Sequence, residues 1–221
     1  MKIKTEVLKE MVADAIQGAS NNKLIPITQF IGIVADSGEL KLITTDGTNY
    51  LYVTADGADD DINVTVFCEQ FAKLVSKMTS KEISLDIVDG NLEVVGNGTY
   101  TLELPVDEEG EPIIYPSPYA NIKEPKKCQS LDRQQIVDAI GVCEASLLPP
   151  SNNKYEDIEN YYIGDKVITT NKSEVACINE NVLNKGVLIS PHLMNLLSIM
   201  DEDEIKYIAR SEERRVGKEC R

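Results

Sequence analysis

A six-residue string that occurs twice constrains this chain more than any other feature. KLITTD at 41–46 returns as KVITTN at 166–171. Three further matches keep the same order. FIG at 30–32 returns as YIG at 162–164, in the strand before each. DAI at 14–16 returns at 138–140, in the first helix of each half. CEQFAKLVSKMTSKEISL at 68–85 is matched by SPHLMNLLSIMDEDEIKY at 190–207, setting Leu74 over Leu196, Ser76 over Ser198, Met78 over Met200 and Ile83 over Ile205. Four matches in one order imply a duplicated structural unit.

The periodicity within the first copy says what that unit contains. MKIKT alternates as a short strand. Positions 6–20 then place Val7, Leu8, Met11, Val12, Ala15 and Ile16 on one helical face. Strand signals closed by Ser-Gly or Asp-Gly follow at 27–38, 39–47 and 48–57, and INVTVF is another. A second helix is expected over 68–79, with Phe71, Leu74, Val75 and Met78 inward. Three more strands form a meander, with Asp89-Gly90 and Gly96-Asn97-Gly98 at its turns. The fold class is therefore α+β: tandem domains, each with two helices packed on antiparallel sheets. The segment 105–127 holds five of the nine prolines and a run of acids, and reads as an extended connector. The second copy is incomplete on this pattern, because two more strands should follow EIKYIA. That last strand is then expected to present an unpaired edge.

Composition removes several classes of function. No apolar run approaches the roughly 20 residues of a membrane span, and charges interrupt the N-terminal apolar positions as they would not in a signal peptide. The chain reads as soluble and cytoplasmic. Its cysteines, at 68, 128, 143, 177 and 220, form no Cys-x-x-Cys pair, and His192 is the one histidine. A structural zinc site needs more closely spaced ligands. The same shortage of imidazole counts against Ser–His or Cys–His catalysis. No cofactor, metal or catalytic residue is expected.

The repeated unit resembles the bacterial sliding clamp, the β subunit of DNA polymerase III. The resemblance runs from residue 1 to about 209. It rests on LIPIT after the first helix, LITTDG, VFCEQFAKLVSKM and a meander ending in LELPVDEEGEP, then on IENYYIG and VITTN in the second copy. It implies a non-catalytic processivity factor that encircles double-stranded DNA and tethers the replicative polymerase after a clamp loader opens it. Family members build each protomer from three such domains, and two protomers close a ring. On that reading 1–122 is the first clamp domain, 123–209 a truncated second, and the third is missing.

The resemblance also implies sites. Lys73 and Lys77, four apart and opposite Phe71, Leu74 and Val75, would face DNA, as would Lys23, Arg133 and Lys154. The pocket for partner peptides would fall at Ile163, Thr170, Lys172, Ser173, Glu174 and Val175. Lys172-Ser173-Glu174-Val175 stands where the family often shows Gly-His-Arg-Leu. Two alternatives remain open: a two-domain factor of phage type closing as a trimer, and a metal-dependent hydrolase using the acidic turns at 55–62 and 106–112. Neither turn has the EF-hand spacing.

The last twelve residues, RSEERRVGKECR, carry five of the 22 Lys and Arg of a chain whose net charge is −15. They lack the alternation the repeat expects there. They resemble the in-frame translation of a sequencing adapter, so 210–221 is expected to be non-native rather than a basic DNA-binding arm.

Overall fold

A computed structural model describes residues 1–20, 22–118, 129–147, 159–171, 173–179, 186–199 and 204–207; the side chains of 129–131 and 204–207 are not described. Lys154, Lys172 and the tail at 210–221 lie outside these residues. The chain divides into two compact units, Met1–Asn121 and Ile122–Arg221. Among the described residues no helix is long and apolar enough to cross a membrane.

In the first unit, β1 (Lys2–Lys4) runs straight into α1 (Thr5–Ala15). Two 3₁₀ turns, Ile16–Gly18 and Pro26–Gln29, lead to β2 (Phe30–Asp36). Then come β3 (Glu39–Thr45), β4 (Tyr50–Asp56), β5 (Ile62–Phe67), α2 (Cys68–Ser76), β6 (Glu82–Val88), β7 (Asn91–Val95) and β8 (Thr99–Glu103). They form two antiparallel sheets, ordered β4-β3-β2-β5 and β1-β6-β7-β8. α1 buries Thr5, Leu8, Met11, Val12 and Ala15, the three-and-four spacing of one helical face. α2 adds Cys68, Phe71 and Val75. The alternating strand positions Leu40, Leu42, Val64, Val66, Ile83, Leu85, Leu92 and Val94 complete one aliphatic core. Asp89 and Gly90 both have positive φ, 50° and 76°, as the two-residue β6–β7 hairpin requires.

Both helices are shorter than their sequence periods suggest. α1 tightens into a 3₁₀ turn at Ile16, where the chain drops onto the sheet. A Cβ on Gly18 would sit 2.5 Å from Thr44 Oγ1 and 2.6 Å from Leu51 Cβ, so only glycine allows that approach. α2 ends at Ser76, and Met78 is buried through the turn that follows.

The connector reading of 105–127 needs correction in its first part. Beyond a small turn closed by the Val106–Pro112 bridge, the chain lies on the face of the β2–β3 sheet away from the helices. Tyr115 is buried there with Phe30 and Ile43, flanked by Ile113. It fits because residue 32 is glycine: a Cβ at Gly32 would stand 2.6 Å from Tyr115 Cβ.

The second unit repeats the topology. β9 (Gln129–Asp132) leads into α3 (Arg133–Cys143) and a 3₁₀ turn at Glu144–Ser146. Then follow β10 (Tyr161–Ile163), β11 (Val167–Thr170), β12 (Val175–Ile178), β13 (Val187–Ile189), α4 (Pro191–Ile199) and β14 (Glu204–Tyr207). The order β12-β11-β10-β13 reproduces β4-β3-β2-β5. β14 pairs with β9 as β6 pairs with β1, but this sheet has two strands among the described residues where the first unit has four.

KLITTD and KVITTN are equivalent, and the structure gives the reason. Thr44 Oγ1 donates to Ala15 O at 2.7 Å, and Thr169 Oγ1 donates to Cys143 O at 2.6 Å. Each buried hydroxyl ties the end of the first helix to the sheet. The next threonine bridges the following turn: Thr45 Oγ1 donates to Asn49 O, and Thr170 Oγ1 to Glu174 O. Asp46 and Asn171 each accept two backbone N–H bonds across that turn.

The other three matches slip. α1 starts at Thr5 and α3 at Arg133, so Asp138 corresponds to Glu10, one helical turn from Asp14. Gly32 pairs with Ile43 and Tyr162 with Ile168, so Tyr162 corresponds to Gly32 and not to Phe30. Ser190 accepts from Leu193 N at the start of α4, the place of Phe67 before α2, so that helix is displaced by one. Ile205 does hold the place of Ile83, each opposite the second-last residue of the strand before the first helix.

Candidate nucleic-acid interface

The two helices of each unit pack side by side and leave one face of each outward. On α2 the outward positions carry Glu69, Gln70 and Lys73. Lys73 is one turn from Glu69, and their ion pair closes at 2.5 Å with both side chains about 70% exposed. Hydrogen bonding and the charge of Lys73 hold the Glu69 carboxyl below the ordinary carboxylate value. Lys73 therefore offers a phosphate a cation already shared with a carboxylate.

Lys77 is exposed but lies one residue beyond α2, as its capping residue, with its N–H donated to Leu74 O at 3.1 Å. The expected pair on a continuous helical face is thus one helical lysine and one at the helix end. There its charge also opposes the negative end of the helix dipole. Lys23 is exposed on a tight turn in which Asn22 Oδ1 accepts from Leu24 N at 3.0 Å. Leu24, beside it, is 91% exposed.

Arg133 is half-buried, and its Nε–H donates to Ser198 O at 2.9 Å. That bond joins the first residue of α3 to the last turn of α4. Arg133 is thereby a packing element of the helix pair as well as a charge. The outward face of α1 is acidic, with Glu6, Glu10 and Asp14 exposed. The positive surface on the first unit's helices is a narrow strip rather than a broad patch.

Among the described residues matched to a peptide pocket, Ile163 stands apart from the other four. Ile163 is 1% exposed and belongs to the core of the second unit, with Ile136, Tyr161 and Met194. Thr170, Ser173, Glu174 and Val175 do cluster, at the β11–β12 hairpin, where Val175 is 69% exposed. Their polar contacts are those of the equivalent turn at 45–49 in the first unit. The hairpin geometry is therefore shared by both copies and does not mark one of them as a receptor.

Sequence reasoning passed over a further basic group: Lys4, Lys9 and Lys81, around a cavity where β1 enters α1. The signal was present. Lys4 stands where the second copy has Asp132, which caps α3 by accepting from Gln134 N at 2.8 Å.

No family model matches the sequence, and no curated protein does. Among solved structures, the β subunit of DNA polymerase III from Thermotoga maritima superimposes with a TM-score of 0.72 at 14% identity, covering 93% of this chain and 57% of that one. The DNA polymerase sliding clamp of Bacillus subtilis gives 0.73 at 14% identity, covering 94% and 59%. That of Pseudomonas aeruginosa gives 0.71 at 15% identity, covering 95% and 59%. The chain has the β sliding-clamp fold. It spans less than three-fifths of the length of these clamps. At such low identity the likeness lies in the fold's two-helix, two-sheet repeat, whose order both units keep.

Proposed function

We propose that the chain is part of a sliding clamp: a non-catalytic ring component that encircles duplex DNA and tethers a replicative polymerase. The observation that carries this reading is the repeated topology. Two copies of one unit, with identical strand order in the larger sheet and a helix pair in each, match clamp structures across nearly the whole chain. The two units take the places of a first clamp domain and part of a second. Duplex DNA, the polymerase, its loader and a second protomer are the partners this implies.

Lys73, Lys77, Lys23 and Arg133 are described residues that would supply positive charge toward DNA. A topological clamp needs few tight contacts, since it is held by closure of a ring, and a narrow strip of lysines suits sliding better than a sequence-reading surface. The test uses the full-length parent with its loader on nicked circular DNA. The clamp should remain on the circle at moderate salt and leave once a restriction enzyme makes ends. Retention on linear DNA with free ends would refute encirclement. The Lys73→Glu, Lys77→Glu double variant should weaken association and lower the slope of log K against log salt by up to about two. An unchanged slope would remove both residues from the interface.

A further inference from the structure

We propose that the outer face of the first unit's larger sheet receives a short basic segment of a partner protein. One large apolar side chain of that segment enters a cavity, and its flanking lysines or arginines meet carboxylates at the cavity's end. The cavity lies where the β2–β3 hairpin runs on past the segment that carries Tyr115. Its volume is about 530 Å³, within the range of sites that take small ligands. Val34 and Ile43 form the sheet side, and Ile114, Tyr115 and Pro116 the other.

The apolar half of the argument is Ile114. Its neighbours Ile113 and Tyr115 both turn onto the sheet, but Ile114 is 75% exposed. An isoleucine in water is ordinary by itself. Here it belongs to the wall of a cavity whose other side is Val34 and Ile43, so one apolar side chain arriving from outside covers all three.

The polar half is a row of like charges on the same face. Asp36 stands opposite Glu39, and Glu39 opposite Asp56. Directly opposed residues share a face of the sheet, and like charges in those places destabilise it. Lys41 answers one of them, with Nζ 2.8 Å from Glu39 Oε2. Asp36 accepts from Ser37 Oγ at 2.7 Å, and among the described residues neither Asp36 nor Asp56 forms an ion pair. Both are exposed. An apolar cavity with an acidic end is the complement of an apolar residue flanked by cations. The same row repels nucleic acid and anionic lipid. The chain's net charge of −15 extends the attraction for a basic partner beyond contact distance.

The second unit shows that the fold itself does not require this end of the sheet. Its pair Ile163 and Val167 corresponds to Ile33 and Leu42 in the first unit. Gly164–Lys166 close the hairpin there. In the first unit Val34–Lys41 continue it, and that extension brings Val34 to the cavity and Asp36 and Glu39 to the acidic row.

The test is methyl and amide NMR on the full chain, titrated with the peptide acetyl-Arg-Arg-Leu-Lys-Lys-amide. It depends on neither DNA nor ring closure, so its failure leaves the clamp reading standing. Saturable shifts are expected at Val34, Ile43 and Ile114, with a dissociation constant of about 0.1–1 mM. Glycine in place of the peptide's leucine should weaken binding at least about tenfold. Glutamates in place of its cations should abolish it. The Asp36→Asn, Asp56→Asn double variant changes only exposed side chains; it should weaken the basic peptide about threefold to tenfold and flatten the dependence on salt. Absence of a saturable shift at these residues overturns the proposal, as does a double variant that binds unchanged or an acidic peptide that binds as well. Shifts of the same residues with a DNA duplex or an anionic phospholipid vesicle would also overturn it, and shifts on simple concentration of the chain would give the face to a second copy instead.

Discussion

Replacing Thr44 by valine tests the bond that defines the repeat. The side chain is fully buried, and its hydroxyl donates to the last carbonyl of α1 at 2.7 Å. Valine keeps the branched shape and removes only the donor. Ala15 is itself fully buried, so its carbonyl loses that partner without gaining water. A buried acceptor stripped of a partner costs about 1–3 kcal/mol. For a unit of this size each kcal/mol moves the melting temperature by roughly 3–6 °C, so a fall of about 5–10 °C is expected. Thr44→Ser is the control: it keeps the hydroxyl and loses a methyl group, and should recover most of the shift. Circular dichroism melts give the magnitude. Hydrogen exchange of peptides covering residues 5–18 gives the location, since faster exchange should be confined to the end of α1 and the turn after it. If serine destabilises as much as valine, packing around the methyl and not the hydrogen bond holds the helix end, and the explanation of KLITTD fails.

Gly32→Ala should expel Tyr115 from the sheet, because the new Cβ would lie 2.6 Å from the tyrosine Cβ; overpacking of this kind costs about 1–3 kcal/mol, and faster proteolysis between 105 and 118 would report it. Phe71→Ala removes a fully buried ring from the core of the first unit and should cost about 3–5 kcal/mol in denaturant titrations. Burial, with Glu69 nearby, pushes the Cys68 thiol from 9.0 up to about 11. The folded chain thus holds its proton more tightly than the unfolded one, so stability is intact below pH 9 and declines as pH rises toward 11; Cys68→Ala should flatten that alkaline decline. The Ser84 hydroxyl, then the Met1 amino group, hold the Asp86 carboxyl below its ordinary 3.8. That contribution is present above pH 3.8 and is lost as pH falls through the lower folded value, so Asp86→Asn should flatten the acid limb of a stability curve.

The order of elements was legible because apolar spacing and turn residues announce helices and hairpins locally. Register was not. A slip of two on a strand or four on a helix returns each side chain to the same face, which is how the FIG and DAI matches looked sound while lying two and four positions out. Only pairing, Gly32 to Ile43 and Tyr162 to Ile168, resolves it. The place of Tyr115 was hidden because a proline-rich acidic segment reads as a spacer. Its anchor is a missing side chain at Gly32, far away in sequence. At the candidate interface the Glu69–Lys73 pair was readable from its spacing of four. The partner of Arg133 was not, since the Ser198 carbonyl is 65 residues away. Ile163 was matched to the pocket on the resemblance alone, and its side chain lies in the core of the second unit.

The two threonine hydroxyls also fix how much chain must be closed when each unit forms. The bond from Thr44 to Ala15 spans 29 residues, and that from Thr169 to Cys143 spans 26. Loop-closure entropy rises only with the logarithm of length, so the two closures differ by about 0.1 kcal/mol. The copies differ at the acceptor residue, Ala15 against Cys143, but not in the entropic barrier of bringing the first helix back to the sheet. Any difference in their folding rates must then come from the contacts that reward closure: a broad aliphatic core in one unit and, among the described residues of the other, a core built on Tyr161 and Met194.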